Sequence, residues 1–179
     1  MENATEEQGA EKLIIVLAGT LVISVMSATM FTIALPEIRA EFNLSFSQVS
    51  WITTSYLLTF AIGTMIYGKL ADRYSLKSLL TFGLLFFALG SLIGLFAWDY
   101  SIVLLGRVIQ AVGAGVIPAL AGIIPVRYYP PERRGRALGI AMTGGAIGSA
   151  IGPAVAALII SVADWRWSYC FYYPTIVNM

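Results

Sequence analysis

Five stretches of this 179-residue chain contain no Asp, Glu, Lys or Arg: Leu13 to Pro36, Phe42 to Gly68, Ser78 to Trp98, Val108 to Val126 and Ala137 to Ala163. The shortest is 19 residues long. About 20 apolar residues in a helix cross a ~30 Å hydrocarbon core. A buried helix of a soluble protein is seldom so long and carries a polar stripe. A transmembrane β-barrel would instead show roughly ten-residue alternating segments, and none is present. The expected fold class is an all-α membrane protein. Residues 1–12 form an N-terminal segment, and 13–179 a transmembrane bundle with spans at about 13–36, 49–68, 79–98, 102–125 and 137–162. A partial sixth occupies 168–179, whose 12 residues would extend only ~18 Å as helix.

Composition closes off most other classes. Hydrophobic residues make up 58% and charged residues 12%, against about 25% charged in ordinary globular chains. Mean hydropathy is +0.80. Histidine is absent, which removes Ser-His-Asp and Cys-His mechanisms and most zinc sites. Cys170 is the sole cysteine, so there is no disulfide framework. A net charge of +1 leaves no footprint for nucleic acid. No metal site, cofactor or enzyme activity is expected. The N-terminus is not a signal peptide: Glu2, Glu6, Glu7 and Glu11 give it the wrong sign, and the apolar run that follows is too long.

Basic residues set the expected orientation. With the N-terminus in the cytoplasm, Lys12, Lys69, Arg73, Lys77, Arg127, Arg133, Arg134 and Arg136 face inward. Arg39 and Arg166 face outward, and Arg107 lies within the fourth span. Trp51, Trp98, Trp165 and Trp167 then all fall at the outer interface, where amphipathic rings anchor helix ends.

Glycines punctuate the spans, where small residues let backbones approach. Gly90 and Gly94 lie one turn apart, and Gly144, Gly148 and Gly152 form a stripe that ends in Pro153. Pro153 cannot donate to the carbonyl of Ser149, so a bend is expected there. Two look-alikes fail. GTMIYGK (Gly63–Lys69) has phosphate-loop spacing but continues with Leu70 and lies in a span. The 144–152 glycines follow no strand, as a dinucleotide fingerprint would require.

Three ordered motifs carry a family resemblance. GKLADRYSLK, from Gly68 to Lys77, resembles the signature between helices two and three of the major facilitator superfamily. It matches at Gly68, Leu70, Ala71, Asp72 and Arg73, with Lys77 in a basic position and Ser75 where a second glycine is usual. GRVIQAVGAG, from Gly106 to Gly115, resembles the superfamily's fourth-helix motif through Arg107, Gln110 and Gly113, with Ala111 replacing one glycine. GSAIGP, from Gly148 to Pro153, resembles the fifth-helix motif of proton-coupled antiporters, with Ala156 and Ala157 in place of its closing glycines. PERRGRALG (131–139) resembles the connection into that helix. Trp51–Leu80 and Trp165–Tyr169 are similar to the fourteen-helix drug-efflux branch, which includes tetracycline and multidrug exporters.

The resemblance implies the N-terminal helical bundle of a major facilitator fold, a plasma-membrane location, a lipid bilayer and a small-molecule substrate as partners, and a C-terminal half supplied by further chain. It implies secondary active export of amphipathic molecules of the drug:proton antiport type, hence antibiotic resistance. The alternatives are a truncated, non-transporting relative and a small pore. With a sixth helix that cannot span, this chain alone is not expected to transport.

Residue roles follow as expectations. Gly68 permits close packing at the cytoplasmic end of span two, and Asp72 pairs with an Arg or caps a helix. Arg107, about six residues into its span, sits roughly 9 Å deep. Such a charge costs at least ~2.5 kcal/mol and is a functional candidate; the alternative is that it snorkels to Asp99 or the headgroups. Gln110 is its nearest polar partner on the same helix. Ser27 stands where the drug-efflux branch commonly has an acid (MSATMFTIALP, 26–36), and no Asp or Glu lies in the charge-free spans. A proton carrier must then come from outside this chain, or coupling is lost. Ser27, Thr29, Thr32, Thr54, Ser55 and Thr59 either line a midplane cavity or bond to their own helices.

Overall fold

A computed structural model describes residues 2–162 and 164–170. The described residues form seven helices in order: α1 (Glu2–Glu41), α2 (Phe46–Leu70), α3 (Leu76–Leu95), α4 (Tyr100–Ala114), α5 (Val116–Tyr128), α6 (Pro131–Val162) and α7 (Trp167–Cys170). Strands are absent among the described residues. Among the described residues, five helical segments are long and apolar enough to cross a membrane: Ile14–Glu41, Phe46–Leu70, Leu76–Leu95, Tyr100–Tyr128 and Pro131–Val162. The fourth is α4 and α5 end to end.

Local chemistry sets the helix ends. Ser45 caps α2 through a capping box, its hydroxyl accepting from the Gln48 N–H at 3.3 Å while its own N–H donates to Gln48 Oε1 at 2.9 Å. Before it, Asn43 takes the left-handed conformation, φ 51°, which asparagine tolerates because its short side chain bonds locally. Ser75 caps α3 by accepting from the Ser78 N–H at 3.2 Å. Asp99 caps α4 by accepting from the Ser101 N–H at 2.8 Å. The α4–α5 ladder is interrupted at Gly115 because Pro118, lacking an N–H, cannot donate to the Ala114 carbonyl. Pro36 and Pro153, by contrast, sit inside helices that continue past them.

Helix pairing is governed by glycine. The most extensive contacts join α1 to α6 and α3 to α4, with α2 against α4 and α5. On α3, a Cβ at Gly83 or Gly90 would run into Val116 and Gly113, or into the Gln110 backbone. On α4, Gly106 faces the Gly90 and Gly94 backbone and Gly113 faces Gly83 and Phe87. Along α6, Gly144, Gly148 and Gly152 face Ala18, Val22, and Met26 with Thr29, all on α1. Lipid is as apolar as leucine, so such close contacts rather than hydrophobic burial hold spans together.

The fourth span is the most enclosed, with 67% of its apolar stretch buried against 17% for α2 and for α6. Leu57, Leu58, Met65, Phe82, Leu85, Ile151 and Leu158 point outward from α2, α3 and α6. In water these would be a liability; in lipid they are the solvent-facing surface.

Candidate functional site

Arg107 sits two turns into α4 and is 2% exposed. Its guanidinium is held between two rings, Tyr56 of α2 at 3.9 Å and Phe31 of α1 at 4.1 Å from the ring centroids. Each desolvated cation–π contact contributes about 2 kcal/mol, comparable with the ~2.5 kcal/mol insertion cost. The side chain therefore does not snorkel. Its Nη1 donates to Gln110 Oε1 at 2.7 Å, and Gln110 Nε2 donates to Ser91 Oγ of α3 at 3.0 Å. The relay is possible because Gly90 brings the α3 backbone against Gln110. Tyr169 of α7 completes the enclosure, its ring 5.0 Å from Phe31 and set against Gly94.

The arrangement leaves donors unused. Arg107 Nε and the Tyr169 hydroxyl are buried without a hydrogen-bond partner. A buried unsatisfied group costs about 1–3 kcal/mol, more when charged. Among the described residues, no carboxylate pairs with Arg107. The acids within the spanning segments, Glu37, Glu41 and Glu132, sit near their ends.

The remaining sequence candidates scatter. Gly113 lies one turn beyond Gln110 in the α3–α4 contact, and Gly144, Gly148 and Gly152 in the α1–α6 contact. Pro153 follows in the unbroken α6. Two expectations for the 2–3 loop are corrected. A Cβ at Gly68 would meet nothing within 4 Å, so no helix packs closely there. Asp72 is exposed and neither caps a helix nor forms an ion pair among the described residues; Ser75 caps α3 instead. Arg73 and Lys77 are exposed. The loop's tertiary tie is Arg127, whose Nη1 donates to the Ala71 carbonyl at 3.2 Å.

Of the hydroxyl residues, Thr29 bonds to the Val25 and Met26 carbonyls of its own helix and Ser55 to that of Ile52. Ser27 is buried, one turn from Phe31 on α1. Thr32 and Thr54 are exposed and Thr59 half-buried.

Comparison with known proteins now bears on this bundle. Residues 17–178 match the Major Facilitator Superfamily. The chain belongs to that superfamily. It is 32% identical over 176 residues to Multidrug resistance protein 3 of Bacillus subtilis, covering 97% of this chain and 34% of that protein. It is 33% identical over 163 residues to Puromycin resistance protein pur8 of Streptomyces alboniger, covering 89% and 31%. The chain thus spans about a third of the length of these curated relatives. In structure it is similar to a bacterial homologue of the human lysosomal transporter Spinster, inward-facing and unoccupied. The TM-score is 0.70 at 22% identity, covering 94% of this chain and 41% of that one. The occupied form gives 0.71 at 21%, covering 93% and 42%.

Within this superfamily bundle, the sequence reading missed a second charged cluster. Arg166, in the loop after α6, pairs with Glu41 at the end of α1, Nη2 to Oε1 at 2.6 Å, and with Asp164 at 3.2 Å. Its Nε and Nη2 also donate to the Ala97 carbonyl beyond α3, at 3.0 and 2.8 Å. The hydrogen bond to Glu41 holds the Arg166 pKa above its ordinary value. Trp165 Nε1 donates to the same Glu41 carboxylate. Three helix ends are thereby tied together. The sequence marked Arg166 as a basic residue near a helix end and within the Trp165–Tyr169 stretch, but its partner lies 125 positions away.

Proposed function

We propose that this chain is the N-terminal part of a secondary active exporter of amphipathic small molecules, in the plasma membrane with its N-terminus in the cytoplasm. A second set of spans would supply the other wall of the substrate path. The observation that carries the reading is Arg107: a buried cation in the most enclosed span, touched from α1 and α2 and tied through Gln110 to α3, with a donor unspent. A structural anchor would be satisfied or would reach the headgroups. The relatives named for multidrug and puromycin resistance support the drug type, and eight inward basic residues support the orientation.

In this reading Gly68, Asp72, Arg73 and Lys77 form a docking edge for the missing half, which accounts for their exposure. The glycine contacts of Gly113, Gly144, Gly148 and Gly152 keep α3–α4 and α1–α6 rigid as the halves rock, with Pro153 lowering the cost of bending α6. No acid near mid-membrane in these spans can carry a proton, so coupling residues lie in the other half. The test is drug accumulation in a sensitive bacterial strain expressing the full-length product of the reading frame. A panel of cationic, neutral and anionic amphipathic drugs should include at least one whose accumulation falls, with recovery on adding a protonophore. Unchanged accumulation across the panel, with the protein in the membrane, would overturn the reading.

A further inference from the structure

We propose that the Arg107 site receives an anionic group, a carboxylate on an amphipathic substrate that lies edge-on to the guanidinium. The inference rests on the transport reading above and adds a substrate class to it. The guanidinium faces are taken by Phe31 and Tyr56, so only its edge can receive a ligand. Gln110 engages Nη1, while Nε, on the opposite side of the guanidinium, has no acceptor. A second buried donor without a partner, the Tyr169 hydroxyl, belongs to the same enclosure.

The site holds donors in excess, and its one fixed charge is positive. No carboxylate of the described residues neutralises it, and Ser27, one turn along α1 from Phe31, is uncharged. A planar guanidinium offers two parallel N–H groups to a carboxylate, and the flanking rings suit an apolar body beside it. A cation would meet like charge here, with no carboxylate of the described residues to offset it.

Three naphthalene probes of matched shape test this: 1-naphthoate, 1-naphthalenemethanol and 1-naphthylmethylammonium. Each is measured by equilibrium dialysis against the chain in phosphatidylcholine nanodiscs. Naphthoate should bind saturably and at least about tenfold tighter than the alcohol, as one charge-assisted contact implies, and the ammonium weakest. Arg107→Gln should reduce naphthoate to the level of the alcohol, whereas Arg107→Lys should keep the preference. Ser27→Asp, which supplies a carboxylate from within, should abolish the preference with helicity by circular dichroism unchanged. Equal or tighter binding of the alcohol or ammonium, a preference surviving in Arg107→Gln, or no saturable naphthoate binding to the helical wild-type chain would each overturn the proposal. Selective naphthoate binding without any efflux by the full-length product would instead sink the transport reading and leave the site standing.

Discussion

Replacing Gly148 with alanine adds one methyl group to α6, and the structure shows where it must go. A Cβ there would press on the Val22 carbonyl oxygen of α1, with the Met26 nitrogen at 3.1 Å. Both are backbone atoms and cannot rotate aside. Ordinary C···O contacts lie at about 3.3–3.6 Å, so α1 and α6 must part by on the order of 1 Å. A gap of 0.5–1 Å already forfeits roughly a quarter to a half of the dispersion attraction across it, and this is the most extensive helix pair in the bundle. Gly139, on the same helix, is the control, because a Cβ there would meet nothing within 4 Å. The helical gain from glycine to alanine, about 0.5–1 kcal/mol, is common to both variants. The difference between them is therefore the packing cost, about 1–3 kcal/mol. Unfolding in mixed detergent micelles, followed by far-ultraviolet circular dichroism against added dodecyl sulfate, measures it. Gly148→Ala should unfold at clearly lower dodecyl sulfate than Gly139→Ala. Equal midpoints would mean that the glycine stripe is not a close helix contact.

Other predictions concern the loops and ends. The ion pair of Arg166 with Glu41 is partly exposed, so a double-mutant cycle of Arg166→Ala and Glu41→Gln should show a coupling of about 0.2–1 kcal/mol by the same unfolding assay; additive effects would mean that the pair does not tie α1 to the loop after α6. Hydrogen bonds from the Ser101 backbone hold the Asp99 pKa below its ordinary 3.8. Its cap therefore contributes in full above that pH and is lost as pH falls through the lowered value. Asp99→Ala should flatten the acid limb of the stability profile, and an unchanged limb would contradict the cap. Orientation is checked by Pro130→Cys in a Cys170→Ser background: an impermeant maleimide should label position 130 only after cells are opened, and labelling of intact cells would invert the topology.

Much of the fold was legible because membrane spans advertise themselves as charge-free runs, a signal carried by consecutive residues. The small-residue contacts were equally local, since Gly144, Gly148 and Gly152 share one helix face. Their depth of contact was not, as the Ala18 and Val22 backbone that meets them lies on another helix. Arg107 stood out by its depth and Gln110 by its spacing, but the choice between snorkelling and burial depended on Phe31 and Tyr56, contributed by α1 and α2. Ser91 was unreadable for the same reason. Motif recognition placed weight on Gly68, where an added Cβ would meet nothing within 4 Å, and on Asp72, which is exposed. The Arg166–Glu41–Ala97 cluster went unseen because a lone arginine near a helix end carries no mark of a partner more than a hundred residues away.

The account turns on Arg107 as the working charge of a transporter rather than an anchor. The direct measurement is uptake or export of a drug by the full-length product in proteoliposomes under an imposed pH gradient, comparing wild type with Arg107→Ala at matched, protease-verified insertion. The account predicts saturable transport by the wild type and none above the protein-free background for Arg107→Ala. Wild-type rates from Arg107→Ala would contradict it, leaving the guanidinium between Phe31 and Tyr56 as a packing element alone.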